Sequence, residues 1–174
     1  MYKQLILFWV VLFTVLSCKA PVQEQQEAPN KEVQQSLLET NRYMRERHRD
    51  QIIAFAERAG WNMTETSTGL WYEILRRGNG PAVQRDKLVT YAFETRLLNG
   101  KVCYSAKADD PKKIISGKGN IEAGLEEGLR LMREGGKARF MIPPHLGHGN
   151  FGDRQCIPGS TVLIITVDVL TVKR

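Results

Sequence analysis

GKGNIEAGLEEGLRLMREGGKARFMIP, residues Gly117–Pro143, changes its period in mid-course. From Ile121 to Met132 the apolar side chains Ile121, Leu125, Leu129 and Met132 recur at three- and four-residue intervals, the spacing of a short one-sided helix. Gly135-Gly136 breaks that pattern. Ala138, Phe140 and Ile142 then alternate with Lys137, Arg139 and Met141 until Pro143-Pro144 ends the run, which predicts a strand. A helix that feeds directly into a strand is expected to lie across a sheet.

Working outward, Leu70–Leu75 begins the strands and Gly78-Asn79-Gly80-Pro81 forms a turn. Val89–Leu98 alternates as a strand, Asn99-Gly100 is the strongest short hairpin signal in the chain, and Lys101–Ser105 returns from it. Lys107–Lys113 reads as a polar loop, His145–Gly159 as a loop rich in His and Gly, and Thr161–Leu170 as a central strand because it is almost continuously apolar. The expected architecture is α+β: an antiparallel half-barrel of about five strands wrapped on one short helix. A long helix precedes it. No Pro or Gly occurs from Lys31 to Ala59, and Val33, Leu37, Leu38, Met44, Ile52, Ile53 and Phe55 keep an uneven helical spacing. Its middle, Arg42–Asp50, is strongly charged, so Ile52, Ile53 and Phe55 are expected to anchor its carboxyl end, with Gly60 as the stop. The stripe lacks sustained heptads, which favours a spacer over a dimerisation arm.

The amino terminus carries Lys3 and then an uninterrupted apolar run from Leu5 to Phe13. At about a dozen residues the run is too short to span a bilayer and reads as a secretory signal. Lys19–Asn30, with two prolines, three glutamines and no aromatic side chain, is expected to be a tether. The expected organisation is a signal peptide over 1–17, a tether over 18–30, an N-terminal helix over 31–66 and one folded domain over 67–174. The 25 basic and 19 acidic residues are spread without runs of like charge, which argues against a nucleic-acid partner. Asn62-Met63-Thr64 matches a glycosylation sequon and is read as coincidence. There is no Gly-rich phosphate loop, no G-x-S-x-G elbow and no paired metal-ligand motif, and no cofactor is expected. His145, His148 and Cys156 form a loose metal-ligand pattern, for which ligand-free polar loop residues are the alternative.

Asn99-Gly100-Lys101, Gly117-Lys118, Gly124-Leu-Glu-Glu-Gly128, Met132, Gly135, Lys137-Ala138, Pro143, Gly149, Ile157-Pro158 and the closing strand Leu163–Leu170 together resemble the FK506-binding-protein (FKBP) family of peptidyl-prolyl cis-trans isomerases. The likeness runs from about Thr68 to Lys173 and implies a half-barrel that isomerises prolyl bonds in polypeptide substrates. It places Phe93, Tyr104, Ile121, Glu122, Leu125, His148, Ile157 and Ile165 at the pocket. Several depart from the family pattern. Phe93 lacks the usual hydroxyl; Cys103-Tyr104 stands where Phe-Asp is expected, and Leu125 replaces the Trp of the pocket floor. His148 replaces a hydrogen-bonding Tyr, and Ile165 an aromatic. Ile121 and Ile157 fit, and Glu122 is expected to act through its backbone N–H. Weak or narrow isomerase activity follows from these changes.

The resemblance also puts Cys103 and Cys156 at pocket-lining positions, either as a disulfide or as two small buried residues. Val15-Leu16-Ser17-Cys18 resembles a bacterial lipoprotein processing site, with Cys18 carrying the lipid; an ordinary signal peptide is the alternative. The implied location is the periplasmic side of the bacterial envelope, on a lipid anchor. The lipobox, helix and Tyr104-Ser105 are similar to gliding-motility-associated FKBP-like lipoproteins. That similarity makes a non-catalytic module of an envelope complex the second functional expectation.

Overall fold

The structure, a computed structural model, describes residues 30–173. The expected leader, Cys18 and the tether up to residue 29 lie outside the described residues. The sheet with all of its packing belongs to one compact unit that begins at Glu39.

Helix α1 spans Lys31–Ala59. It ends where the sequence demands: Gly60 takes φ +66°, its N–H reaches the carbonyl of Glu57, and the Trp61 N–H reaches that of Ala56. This pair of bonds satisfies carbonyls that a helix end leaves without partners, and glycine is the residue that takes the left-handed turn without a steric penalty. Among the described residues, no helix is long and apolar enough to cross a membrane.

Seven strands follow: β1 (Thr64–Glu65), β2 (Trp71–Arg76), β3 (Leu88–Leu97), β4 (Val102–Ala106), β5 (Lys112–Ile115), β6 (Lys137–Ile142) and β7 (Leu163–Lys173). All pairings are antiparallel, in the order β1-β2-β6-β7-β3-β4, with β5 pairing the first half of β3. Two strands exceed the expected count. β1 is only two residues long, and β5 occupies ground read as the end of a polar loop, because Lys112 and Lys113 hide the pairing that Ile114, buried against the core, secures. β1 also brings the sheet's start to Thr64, inside the span assigned to the N-terminal helix. β7 is central, between β6 and β3, and continues to Lys173.

The Asn99-Gly100 hairpin forms, with Gly100 at φ +86°. The Leu97 N–H donates to Lys101 O and the Gly100 N–H to Leu97 O. That is a three-residue connection closed by a left-handed glycine, with Asn99 Oδ1 accepting from the Lys101 N–H.

Helix α2, Ala123–Arg130, packs on one face of the sheet. Leu125 and Leu129 meet Phe140, Ile142, Leu163, Ile165 and Val167 in the main core. Two glycines set the distance. A methyl group at Gly124 would stand 2.7 Å from the Ile142 side chain, and one at Gly128 would stand 2.7 Å from the Phe140 ring. The other face of the sheet is covered too. Ile52 and Ala56 of α1, with Phe55 beside them, bury Met141, Val162 and Ile164. Ile53, expected to share that anchoring, lies outside the cluster, since it points about 100° around the helix from Ile52. The same α1 face carries His48 one turn before Ile52, only 7% exposed, with Nε2–H donating to the carbonyl of Ser160.

Gly128→Ala should lower unfolding stability by about 1–3 kcal/mol in a denaturant titration, because the new methyl group must push α2 off Phe140. His48 supplies a pH test. Burial, opposed by the Ser160 bond, holds its imidazole below the ordinary value of 6.5. The unfolded chain therefore takes up the proton first as pH falls, so stability is full above about 6.5 and declines below it. The thermal midpoint should drop between pH 7.5 and 5.5, and by less in His48→Gln.

Candidate active site

The concave side of the sheet, beyond the amino end of α2, holds the residues that the sequence pointed to. Leu125 (3% exposed), Ile157 (2%) and Ile165 (0%) are core side chains, an aliphatic floor against which Ile121 packs, and none of the three lines the open groove itself. Phe93, Cys103, Tyr104 and Ile121 are half-buried and pack against that core from its edge. An open groove is lined by Ile121, Glu122 and His148 with Lys112, Gly119 and Gly147. The Lys112 Nζ stands 5.7 Å from the centre of the Phe93 ring, which ties β3 to the same groove. Phe93 leans on Tyr91 at 5.8 Å and 49°.

Glu122 precedes the first residue of α2 in an extended conformation, φ −56° and ψ 137°. Its carbonyl accepts the first helical bond, from Glu126. Its own N–H has no carbonyl acceptor among the described residues, and it points from the positive end of the helix. The carboxylate does not cap the helix. Instead Glu122 Oε1 accepts from His148 Nε2–H at 3.1 Å, pinning the loop after β6 against the start of α2.

That loop is organised by a residue the sequence reading passed over, Asp153. Its Oδ1 accepts from the N–H groups of Gln155, Cys156 and Ile157 at 2.9, 3.0 and 2.8 Å, and its Oδ2 accepts from the Tyr104 hydroxyl. The tyrosine bond first, then the three amides, hold the Asp153 carboxyl well below the usual carboxylate range. The same bond raises Tyr104. The resemblance implied an acid after the hairpin, where Tyr104 stands; in this chain the acid beside Tyr104 comes from the long loop, as Asp153. The signal was present as an Asp between Gly152 and a run of free amides, the pattern of an Asx turn.

Beside this pair Cys103 and Cys156 form a disulfide, with Cα atoms 5.5 Å apart and 53 residues of separation. The bond joins β4 to the long loop at the groove's wall. His145, His148 and Cys156 do not converge on a metal: His145 Nε2–H donates to the carbonyl of Thr68, His148 serves Glu122, and Cys156 is bonded to Cys103.

Residues 80–170, more than half of the chain, match the family model described as FKBP-type peptidyl-prolyl cis-trans isomerase. The chain belongs to that family. It is 33% identical over 113 residues to a probable FKBP-type peptidyl-prolyl cis-trans isomerase of Haemophilus influenzae, covering 65% of this chain and 46% of that one. It is 32% identical over 107 residues to the probable isomerase FkpA of Neisseria meningitidis, covering 62% and 39%. The chain thus spans less than half the length of these two curated relatives. Among solved structures, AtFKBP13 aligns with a TM-score of 0.61 at 26% identity, over 65% of this chain and 99% of that one. FkpA from Escherichia coli shares the fold with a TM-score of 0.62 at 23% identity, over 99% and 82%.

The disulfide closes a long loop, for which chain entropy sets a stabilisation of about 4 kcal/mol. The double variant Cys103→Ser/Cys156→Ser should lose about 2–4 kcal/mol in urea titration. Asp153→Asn should weaken the hold on Tyr104 and on the loop amides. Because the folded carboxyl is depressed, its contribution is present above about pH 3.9 and disappears as pH falls below that. The acid-unfolding profile of Asp153→Asn should accordingly be flatter below pH 4 than that of the parent.

Proposed function

We propose that this chain is a peptidyl-prolyl cis-trans isomerase that acts on proline-containing polypeptides as a folding helper in the bacterial envelope, held there by lipid on Cys18. The observation that carries the catalytic part is the groove at Ile121, which packs on the aliphatic core of Leu125, Ile157 and Ile165, beside a helix-start N–H, that of Glu122, left without a backbone acceptor. Rotation about a prolyl bond crosses a barrier of about 18–20 kcal/mol and takes tens to hundreds of seconds unaided. It breaks no covalent bond, so neither nucleophile nor metal is needed.

The ring enters against Ile121 and Phe93 and leaves water, and the Glu122 N–H holds the substrate carbonyl. At the top of the barrier the amide is twisted, the resonance between nitrogen and carbonyl is lost, and the carbonyl is less polar. A dry site therefore favours the twisted amide over the planar one. Each 1.36 kcal/mol of that preference speeds rotation tenfold. Envelope location rests on the Leu5–Phe13 apolar run and the Val15–Cys18 motif, and the Cys103–Cys156 bond suits an oxidising compartment.

A second reading is a non-catalytic module that holds segments of other proteins within an envelope machine for gliding or secretion. Phe151, 85% exposed in the loop that carries Asp153, favours it, since a bare aromatic ring is a strong contact for an unfolded chain. The two readings separate in one assay of prolyl-peptide isomerisation. Acceleration by the parent, with kcat/KM about tenfold lower in Ile121→Ala and lowered in Phe93→Ala, supports the enzyme; equal rates in parent and both variants would remove the pocket assignment.

A further inference from the structure

The outer face of the sheet, opposite α2 and the prolyl groove, carries a trough of about 630 Å³. Phe55 and Trp61 wall one end, and Ile164 and Ala92 lie in its floor. Its charges are unevenly matched. Glu94 pairs with Arg96, and Asp168 pairs with Arg76 from β2. Lys107 and Lys137 also line the trough, and no carboxylate among the described residues lies within ion-pair distance of either. Two ammonium groups are therefore left over beside an apolar surface. The trough runs along β3 and borders β4 at Ser105 and Ala106, and β4 pairs only with β3, so its other backbone edge carries no strand among the described residues.

We propose that this trough is a second polypeptide-binding site, which takes an extended acidic segment of another protein with an aromatic or large aliphatic anchor. The anchor rests on Phe55, Trp61 and Ile164 and leaves water, while flanking carboxylates meet Lys107 and Lys137. The free edge of β4 offers main-chain donors and acceptors to a segment lying alongside. Cations without an ion pair around an apolar floor select for sign as well as for burial, Lys107 most of all, since Lys137 has Asp168 as its cross-strand neighbour while that carboxylate pairs with Arg76. An anionic bilayer fits less well. Glu94 and Asp168 stand on the trough walls, and a concave floor cannot lie flat on a membrane surface. The site would grip a segment across the sheet from the Ile121–Glu122 groove, with Phe93 bordering both, whichever activity that groove has.

The test uses the full chain and a fluorescently labelled, proline-free peptide with a central Phe flanked by Glu residues, alongside a Lys-flanked analogue and phosphatidylglycerol vesicles. Without proline, the peptide bypasses the prolyl groove. The acidic peptide should bind at least about tenfold more tightly than the basic one at low salt, and should shift the Trp61 indole resonance. Lys107→Glu, an exposed substitution, should weaken binding about tenfold, and Lys137→Gln should weaken it less, while isomerisation of a short prolyl peptide stays at the parent level in both. Ile121→Ala should leave acidic-peptide binding intact. Equal affinity for acidic and basic peptides, an unmoved Trp61 resonance, or vesicle binding sensitive to Lys107→Glu with no peptide binding would each overturn the proposal.

Discussion

Everything at the prolyl groove depends on how closely α2 can approach β6. Gly124 and Gly128 are one turn apart on the helix, and each faces a core side chain, Ile142 or Phe140, at a distance that no Cβ atom could occupy. Because the helix sits that low, Leu125 and Leu129 reach into the same layer as Ile165 and Val167, and the start of the helix comes level with the loop after β6. The Glu122–His148 contact is possible only in that arrangement. A helix lifted by one methyl group would open the floor and move the Glu122 N–H away from the groove together. The glycines of the Gly124–Gly128 motif are thus a packing constraint with a functional consequence, and the motif names a scaffold more than a chemistry.

The opposite face makes the sheet stiff. A sheet with one solvated side can flex, but here Met141 is buried under Ile52 and Ala56 while its neighbours Phe140 and Ile142 are buried under α2. Arg139, another residue of β6 pointing outward, spends its charge on Glu73 and on the Trp61 ring 4.3 Å away. The groove's floor is therefore held from behind. Its wall is held differently, through the Cys103–Cys156 bond and the four hydrogen bonds of Asp153, which fix the loop carrying Ile157 and His148.

Much of this was legible in the sequence, where local signals agreed with tertiary ones. The change of period after Met132, the Gly60 stop and the Asn99-Gly100 hairpin all produce elements where they stand, because each is decided within a few residues. What was not legible depended on partners far away in sequence. β5 is two lysines followed by two isoleucines, and only β3 turns it into a strand. Ile53 looked as good an anchor as Ile52 until the sheet fixed which side of α1 faces inward. The Tyr104–Asp153 pair spans 49 residues, so nothing local to either residue announces it, and the acid next to Tyr104 comes from a loop far away in sequence.

That pair bears on what the groove can do. A carboxylate on the hairpin would face a bound peptide with spare acceptor capacity, whereas Asp153 is already engaged through both oxygens, one on Tyr104 and the other on three amides. It is a brace, with little left to offer a substrate. Glu122 is similarly committed to His148. The polar groups that remain for a prolyl peptide are then chiefly the Glu122 N–H and the groove-lining Lys112, and selectivity among peptides comes largely from shape. An aliphatic floor of Leu125, Ile157 and Ile165 accepts a pyrrolidine ring by burial alone and discriminates weakly, since a methylene in such a pocket is worth only about 1–3 kcal/mol. A groove built this way suits many prolines at modest rates, and leaves recognition of particular proteins to surfaces outside it.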